Sequence, residues 1–209
     1  MEQNYLDELI PARGKFLDLL RKKSALEESY APIVQKSTEQ LIVTLLKLIK
    51  PLRVLEVGTA VGYSAILMAD NLPENSSIIT IERYKKHADI AVDNIFAAGY
   101  EKKIKVIEGE AAEVLHWLDG GFDFIFLDAA KGQYTEYYEP VKKLLKPGGV
   151  LMSDNILFKG MVANSELVQK NKRSIVNDLM DYNKMLSEDK DFDTSFIPMG
   201  DGVAISIKK

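Results

Sequence analysis

FDFIFLDAAKGQYTEYYEPVKKLLKPGGVLMSDN, residues 122–155, decides how this chain folds. Residues 122–128 are a short, almost unbroken apolar run, the pattern of a strand buried on both faces. The run stops at Asp128, and Lys131 stands three residues on. Tyr137, Tyr138, Val141, Leu144 and Leu145 then recur at roughly helical spacing, which predicts a helix over 134–146 closed by Pro147-Gly148-Gly149. Residues 148–154 read as a second strand that stops at Asp154-Asn155. A strand, a crossover helix and a strand run the two strands parallel, with both carboxyl ends on one edge of the sheet. Neighbouring strands lie about 4.8 Å apart, which would bring Asp128, Asp154 and Asn155 together. Two carboxylates and an amide oxygen are hard donors, suited to Mg²⁺ or a similar divalent cation.

Outward from this stretch the alternation continues. Strands are predicted at 52–57, 77–82 and 103–108, with helices near 62–71, 84–98 and 111–119. Downstream, a helix near 164–187 precedes strands at 193–197 and 203–207, joined by the short turn PMGDG, residues 198–202. So short a turn makes a hairpin, which reverses one strand of the last pair. The expected class is therefore α/β and Rossmann-like, a seven-stranded, mostly parallel sheet with a reversed C-terminal hairpin and helices on both faces. Residues 1–50 read as a helical cover ahead of the first strand, within a single domain spanning 1–209. Tyr5, Leu6, Leu9 and Ile10 form one apolar stripe, and Phe16, Leu17, Leu19 and Leu20 another. In a third helix, 37–49, Ser37 or Thr38 is the expected cap and Leu41, Ile42, Leu45, Leu46 and Ile49 face inward. The apolar stripes raise the expectation of a homodimer through these helices. Arg13, Lys15, Arg21, Lys22 and Lys23 read as a solvated helix face.

Composition narrows the class without naming an activity. The chain has 209 residues, no cysteine and a formal net charge of −4. Disulfides, zinc–thiolate sites and thiol catalysis are excluded, and strong nonspecific binding to nucleic acid is disfavoured. No apolar run approaches a bilayer span and the acidic, polar N-terminus lacks a signal-peptide pattern, so a cytoplasmic protein with no membrane partner is expected.

The first strand feeds RVLEVGTAVGYSA, residues 53–65, into a helix through Gly58 and Gly62. Glycines at this crossing let a ligand approach backbone near a helix N-terminus. A nicotinamide fingerprint needs glycines at its first, third and sixth positions, where this loop has Gly58, Ala60 and Tyr63. Glu56, inside an apolar strand, needs a donor or a cationic ligand; capping nearby backbone amides is the ordinary alternative. Glu82 ends the second strand and is placed to accept both hydroxyls of a ribose. Gly109, Glu110 and Ala111 follow the third strand, where a loop could border an adenine ring; for Glu110 and Glu113 an acidic first helical turn is the common alternative. Together these loops describe a nucleoside-containing ligand across the carboxyl edge of the sheet.

VLEVGTAVGYSA, ITIE, FDFIFLDAAKGQY, GGVLMSDN and the closing MGDGVAISIKK, in this order and spacing, resemble the metal-dependent O-methyltransferases of the caffeoyl-CoA and catechol type. The likeness covers nearly the whole chain from about Ser37. It implies a class I methyltransferase fold, S-adenosylmethionine as methyl donor, and Mg²⁺ held by Asp128, Asp154 and Asn155. It further implies Lys131 as general base, Glu82 on the ribose, and Gly58 and Ser64 along the methionine end; the aromatic Tyr63 before Ser64 agrees with the family's first loop. Within that group the chain resembles a bacterial branch that methylates 5-hydroxyuridine in the tRNA anticodon loop, on overall likeness in the N-terminal helices and in 156–175. The long substrate-recognition insertions of the plant enzymes are missing after Asn155, which speaks against a caffeoyl-CoA substrate.

A catechol and a 5-hydroxyuridine both offer two vicinal oxygens, so the same chemistry fits tRNA or a small catechol-like substrate. A nicotinamide oxidoreductase is disfavoured by the glycine pattern, and a nonenzymatic nucleotide module would leave Lys131 and the three oxygen donors without a purpose. Tyr134, Tyr137 and Tyr138 read as helix-face packing, with Tyr134 near enough to touch substrate. His87 and His116 read as structural or exposed, and Trp117 as packing. Lys159, Lys170, Lys172 and Arg173 could rim a phosphate site or simply face solvent.

Overall fold

A computed structural model describes residues 2–27 and 30–209. Three helices open the chain, α1 (Glu2–Leu9), α2 (Lys15–Leu26) and α3 (Lys36–Ile49). The alternation follows as β1 (Arg53–Val57), α4 (Tyr63–Asn71), β2 (Ser77–Glu82), α5 (Lys85–Ala98), β3 (Ile104–Glu108), α6 (Ala111–Trp117), β4 (Phe122–Leu127), α7 (Tyr134–Leu144) and β5 (Leu145–Asp154). It closes with α8 (Arg173–Glu188), β6 (Phe192–Ile197) and β7 (Val203–Lys208). The strands form one seven-stranded sheet in the order β3-β2-β1-β4-β5-β7-β6. The pairs β2–β3, β1–β4 and β4–β5 are parallel, whereas β7 runs antiparallel to both β5 and β6. The seven-stranded, mostly parallel sheet and the reversed hairpin are those expected. Among the described residues no helix is long and apolar enough to cross a membrane.

By their internal contacts the residues form two compact units, Met1–Leu52 with Thr59–Gly109, and Arg53–Gly58 with Glu110–Lys209. In the first, α4 and α5 pack on β2 and β3, while α2 and α3 pack on α4. Ile42, Val43 and Leu46 of α3 and Ala65 to Ala69 of α4 are buried there. In the second, α7 packs on β5, α8 packs on β6 and the two helices pack together. Phe124, Ile125, Phe126 and Leu127 are all 0 % exposed, which explains why β4 reads as a continuous apolar run rather than an alternating one.

The structure corrects several sequence readings. Strand β5 begins at Leu145, not at Gly148: Phe122 pairs with Leu145, and the register then shifts so that Phe124 pairs with Val150. Pro147-Gly148-Gly149 is thus an irregularity inside the strand, with Gly148 at φ 76 where a side chain would be strained. The helix expected from 164 starts at Arg173, because Ser165–Leu167 and Lys170–Lys172 form 3₁₀ turns, the first held by Asn164 accepting the Glu166 N–H at 2.9 Å. Neither Ser37 nor Thr38 caps α3; Gln35 stands at the cap, and both hydroxyls are buried without a hydrogen-bond partner. Trp117 is 61 % exposed, so it is not a packing residue in this chain.

Candidate active site

The ends of β4 and β5 assemble the oxygen donors. Leu127 pairs with Ser153, so Asp128 and Asp154 leave adjacent strand ends side by side. The Asp128 N–H donates to Val57 O at 3.0 Å, which fixes it beside the end of β1. Gly58 meets the same residue. A Cβ built there would lie 2.2 Å from the Asp128 carbonyl oxygen, and its φ is +103, so this close approach is open only to glycine. Lys131 begins a 3₁₀ turn that puts its Nζ 2.5 Å from Asp128 Oδ1. Asp154 is 2 % exposed, and its Oδ1 accepts the Asn155 N–H at 2.8 Å. Asn155 itself adopts a left-handed backbone at φ 59, a conformation asparagine tolerates better than most residues.

Burial, and then the negative charge of Asp128, push the Asp154 carboxyl up to about 7; the Asn155 amide and the Lys131 ammonium pull the other way. Two carboxylates converging in a buried place are a repulsive pair that a cation would relieve. Among the described residues, no three or more histidine, aspartate or glutamate side chains gather as an ion site. The donor set that this edge offers is two carboxylates, with the amide residue Asn155 next in the chain after Asp154. Its donor chemistry fits a hard divalent ion.

Two residues at this edge were missed or misread from sequence. Asp201, in the turn between β6 and β7, accepts the Lys159 N–H, and its charge acts on Asp154 while the Lys131 charge acts on it. Burial raises its carboxyl above the usual range. Its Asp-Gly pair reads as turn chemistry alone, and only the β5–β7 pairing of Asp154 with Val203 brings the turn here. Tyr134 is 0 % exposed and therefore does not touch substrate. Its hydroxyl lies 3.2 Å from Leu127 O and 3.0 Å from Asp154 O. Burial, then the charges of Asp128 and Asp154, hold that phenol far above its ordinary range, so it remains a donor.

The residues expected to hold a nucleoside divide between the two units. In the first, both oxygens of Glu82 are already engaged, Oε2 by the Ala60 N–H at 2.8 Å and Oε1 by the Tyr84 N–H at 2.9 Å. Each carboxylate oxygen keeps a second lone pair, so the group is held in place and can still accept. Gly109 sits beside it through its N–H to Glu82 O at 2.9 Å. Tyr63 and Ser64 open α4, but the Tyr63 hydroxyl is committed inward, donating to Glu39 Oε2 at 2.6 Å with Arg21 beside it. In the second unit, Glu56 is 0 % exposed within β1, opposite Phe126, and Glu110 and Ala111 lie at the start of α6.

A doubly wound sheet with a reversed last hairpin and acidic residues at its strand ends is the class I methyltransferase architecture. The chain belongs to the O-methyltransferase family, whose sequence model matches residues 10–209. A catechol O-methyltransferase of Niastella koreensis is 34% identical over 202 residues, covering 91% of this chain and 90% of that protein. A caffeoyl-CoA O-methyltransferase of Populus kitakamiensis is 38% identical over 168 residues, covering 77% and 72%. Among solved structures, the O-methyltransferase from Bacillus cereus in complex with SAH superposes with a TM-score of 0.87 at 25% identity, covering 100% of this chain and 97% of that one. The expectation of an S-adenosylmethionine-dependent O-methyltransferase of the caffeoyl-CoA and catechol type is met at the level of that class.

Proposed function

We propose that this enzyme transfers a methyl group from S-adenosylmethionine to one of two vicinal oxygens of its acceptor, with Mg²⁺ held by Asp128, Asp154 and Asn155. The observation that carries the reading is the pairing of Leu127 with Ser153, which sets two carboxylates at adjacent strand ends with Lys131 on one of them. When bound, the ion supplies Lewis acidity that favours ionisation of an acidic hydroxyl in the acceptor. Lys131, oriented by Asp128, takes the proton that leaves once it has itself given up the ammonium proton that it directs at Asp128. With the donor bound, the acceptor oxyanion would take the methyl group as the carbon–sulfur bond breaks, and most of the acceleration would come from holding the three atoms in line. Glu82 accepts the ribose hydroxyls with its remaining lone pairs, Gly58, Tyr63 and Ser64 border the methionine end, and Gly109, Glu110 and Ala111 border the adenine. Asp128 serves the donor as well as the ion, and Glu56 closes the strand beneath.

For the acceptor we favour 5-hydroxyuridine in the tRNA anticodon loop, converted to 5-methoxyuridine. The exposed Lys159, Lys170 and Arg173, which follow the metal strand, support a phosphate-contacting rim. Arg13 and Arg21 do not contribute to one, being bound internally to Glu39. The second reading is a small catechol-like acceptor, favoured by the likeness to the Niastella catechol enzyme. The exposed Tyr5, Leu6 and Leu9 of α1 support a homodimer, which a monomeric mass in solution scattering would remove.

The test is transfer from labelled S-adenosylmethionine to bulk tRNA of a strain lacking this protein, and to a simple catechol, with Mg²⁺ or with a chelator. Label in tRNA that is lost with chelator and with Asp154→Ala supports the full reading. Label in the catechol alone keeps the mechanism and discards tRNA. Transfer that ignores the chelator discards the metal.

A further inference from the structure

We propose that Tyr134 is a positioning residue, whose hydroxyl sets the separation of the two strand ends that carry the oxygen donors and so sets their affinity for a divalent cation. The inference rests on the metal reading above. The two carbonyls that its hydroxyl approaches, Leu127 O at 3.2 Å and Asp154 O at 3.0 Å, belong to the peptide units leading into Asp128 and into Asn155. One hydroxyl hydrogen shared between them ties β4 to β5 at the place where the paired register ends, just past Leu127 and Ser153.

Three further contacts stop the phenol from moving. Its ring stands edge-on to Tyr182, with centroids 5.1 Å apart and planes at 78°. The Tyr182 hydroxyl in turn lies 2.5 Å from Ser153 Oγ, on the strand being tied. The Tyr134 N–H donates to Asp178 Oδ2 at 2.9 Å, which fixes the start of α7. Repulsion between Asp128 and Asp154 tends to spread this edge, and a rigid tie across the adjoining carbonyls opposes it. Groups of this kind, one layer behind a metal's ligands, commonly change metal affinity by about 10–100-fold when removed.

The experiment measures Mn²⁺ binding by the spin-resonance signal of the free ion, in the absence of acceptor, for the wild type and four variants. Tyr134→Phe keeps the ring and its packing and removes the tie, together with the bond that the phenol oxygen accepts from the Ala129 backbone. It should weaken Mn²⁺ binding about tenfold, while calorimetric affinity for S-adenosylhomocysteine stays the same. Replacing Tyr134 with 4-aminophenylalanine restores a donor at similar reach and should recover the Mn²⁺ affinity. Tyr138→Phe deletes a tyrosine hydroxyl of the same helix that bonds Asp189, away from the tie, and should leave it unchanged. Mn²⁺ affinity equal in Tyr134→Phe and wild type overturns the proposal, as does equal weakening by Tyr138→Phe, which would mean general loosening. Asp154→Ala separates the two readings: if it binds Mn²⁺ as the wild type does, there is no metal site here for Tyr134 to position.

Discussion

The Asp154 carboxyl, raised to about 7 by burial and by Asp128, makes the folded chain sensitive to pH in a definite direction. An unfolded aspartate titrates near 3.9. Between about pH 4 and 7 the folded state therefore holds more protons than the unfolded one, and stability falls as pH rises. The contribution is full below about pH 4 and lost once the pH has passed about 7. In chelator at about pH 8, Asp154→Asn should be more stable than the wild type by roughly 2–4 kcal/mol in urea unfolding, with the gap closing towards pH 4. An Asp154→Asn protein that is no more stable at high pH would contradict this account of the site. Gly58 invites a second substitution. Gly58→Ala would force a Cβ to 2.2 Å from the Asp128 carbonyl oxygen at φ +103, so a loss of about 3 kcal/mol or more is expected in thermal unfolding.

Between elements, the N-terminal helices are locked to α4 through one carboxylate. Glu39 of α3 pairs with Arg13 and with Arg21 of α2, and also accepts the Tyr63 hydroxyl of α4 at 2.6 Å. Burial, then the hydrogen bond and charge of Glu39, push the Tyr63 phenol far above its ordinary range, so it stays protonated and donates. The Glu39 side chain is only 2% exposed, whereas that of Arg21 is 25% exposed. Glu39→Ala would take the carboxylate from two guanidinium groups, leaving Arg13 on Gln40 and Arg21 on the Val34 carbonyl. The cost is expected at roughly 2–4 kcal/mol, the lower end reflecting the solvent that reaches Arg21. Hydrogen exchange should show α4 amides losing protection in that variant while β4 amides keep theirs. Equal loss in both would point to global destabilisation instead of a local lock.

For the whole molecule, ligand linkage offers a direct check on the donor site. S-adenosylhomocysteine at 100 times its Kd should stabilise the fold by about 2.7 kcal/mol. For a chain of this size that raises Tm by roughly 5–10 °C. Glu82→Ala should abolish most of the rise, measured against that variant's own ligand-free Tm, which loss of the bonds to the Ala60 and Tyr84 amides lowers. An undiminished rise would remove Glu82 from the site. At this scale the sequence by itself determined the sheet class, the parallel β4–β5 unit with its acidic ends, and the reversed hairpin. Strand burial and strand-end position are local periodicities, readable wherever every residue of a run is apolar and a carboxylate stops it. Other features depended on contacts between segments far apart in the chain. No local pattern announces that Phe122 pairs with Leu145 and carries the Pro-Gly-Gly run into β5, or that Glu39 gathers two arginines and a tyrosine. The same holds for Asp201 reaching the edge that carries Asp128 and Asp154, and for Tyr134 turning inward onto two carbonyls. A side chain's partner is set by which elements the tertiary structure makes adjacent, and only the folded register decides that.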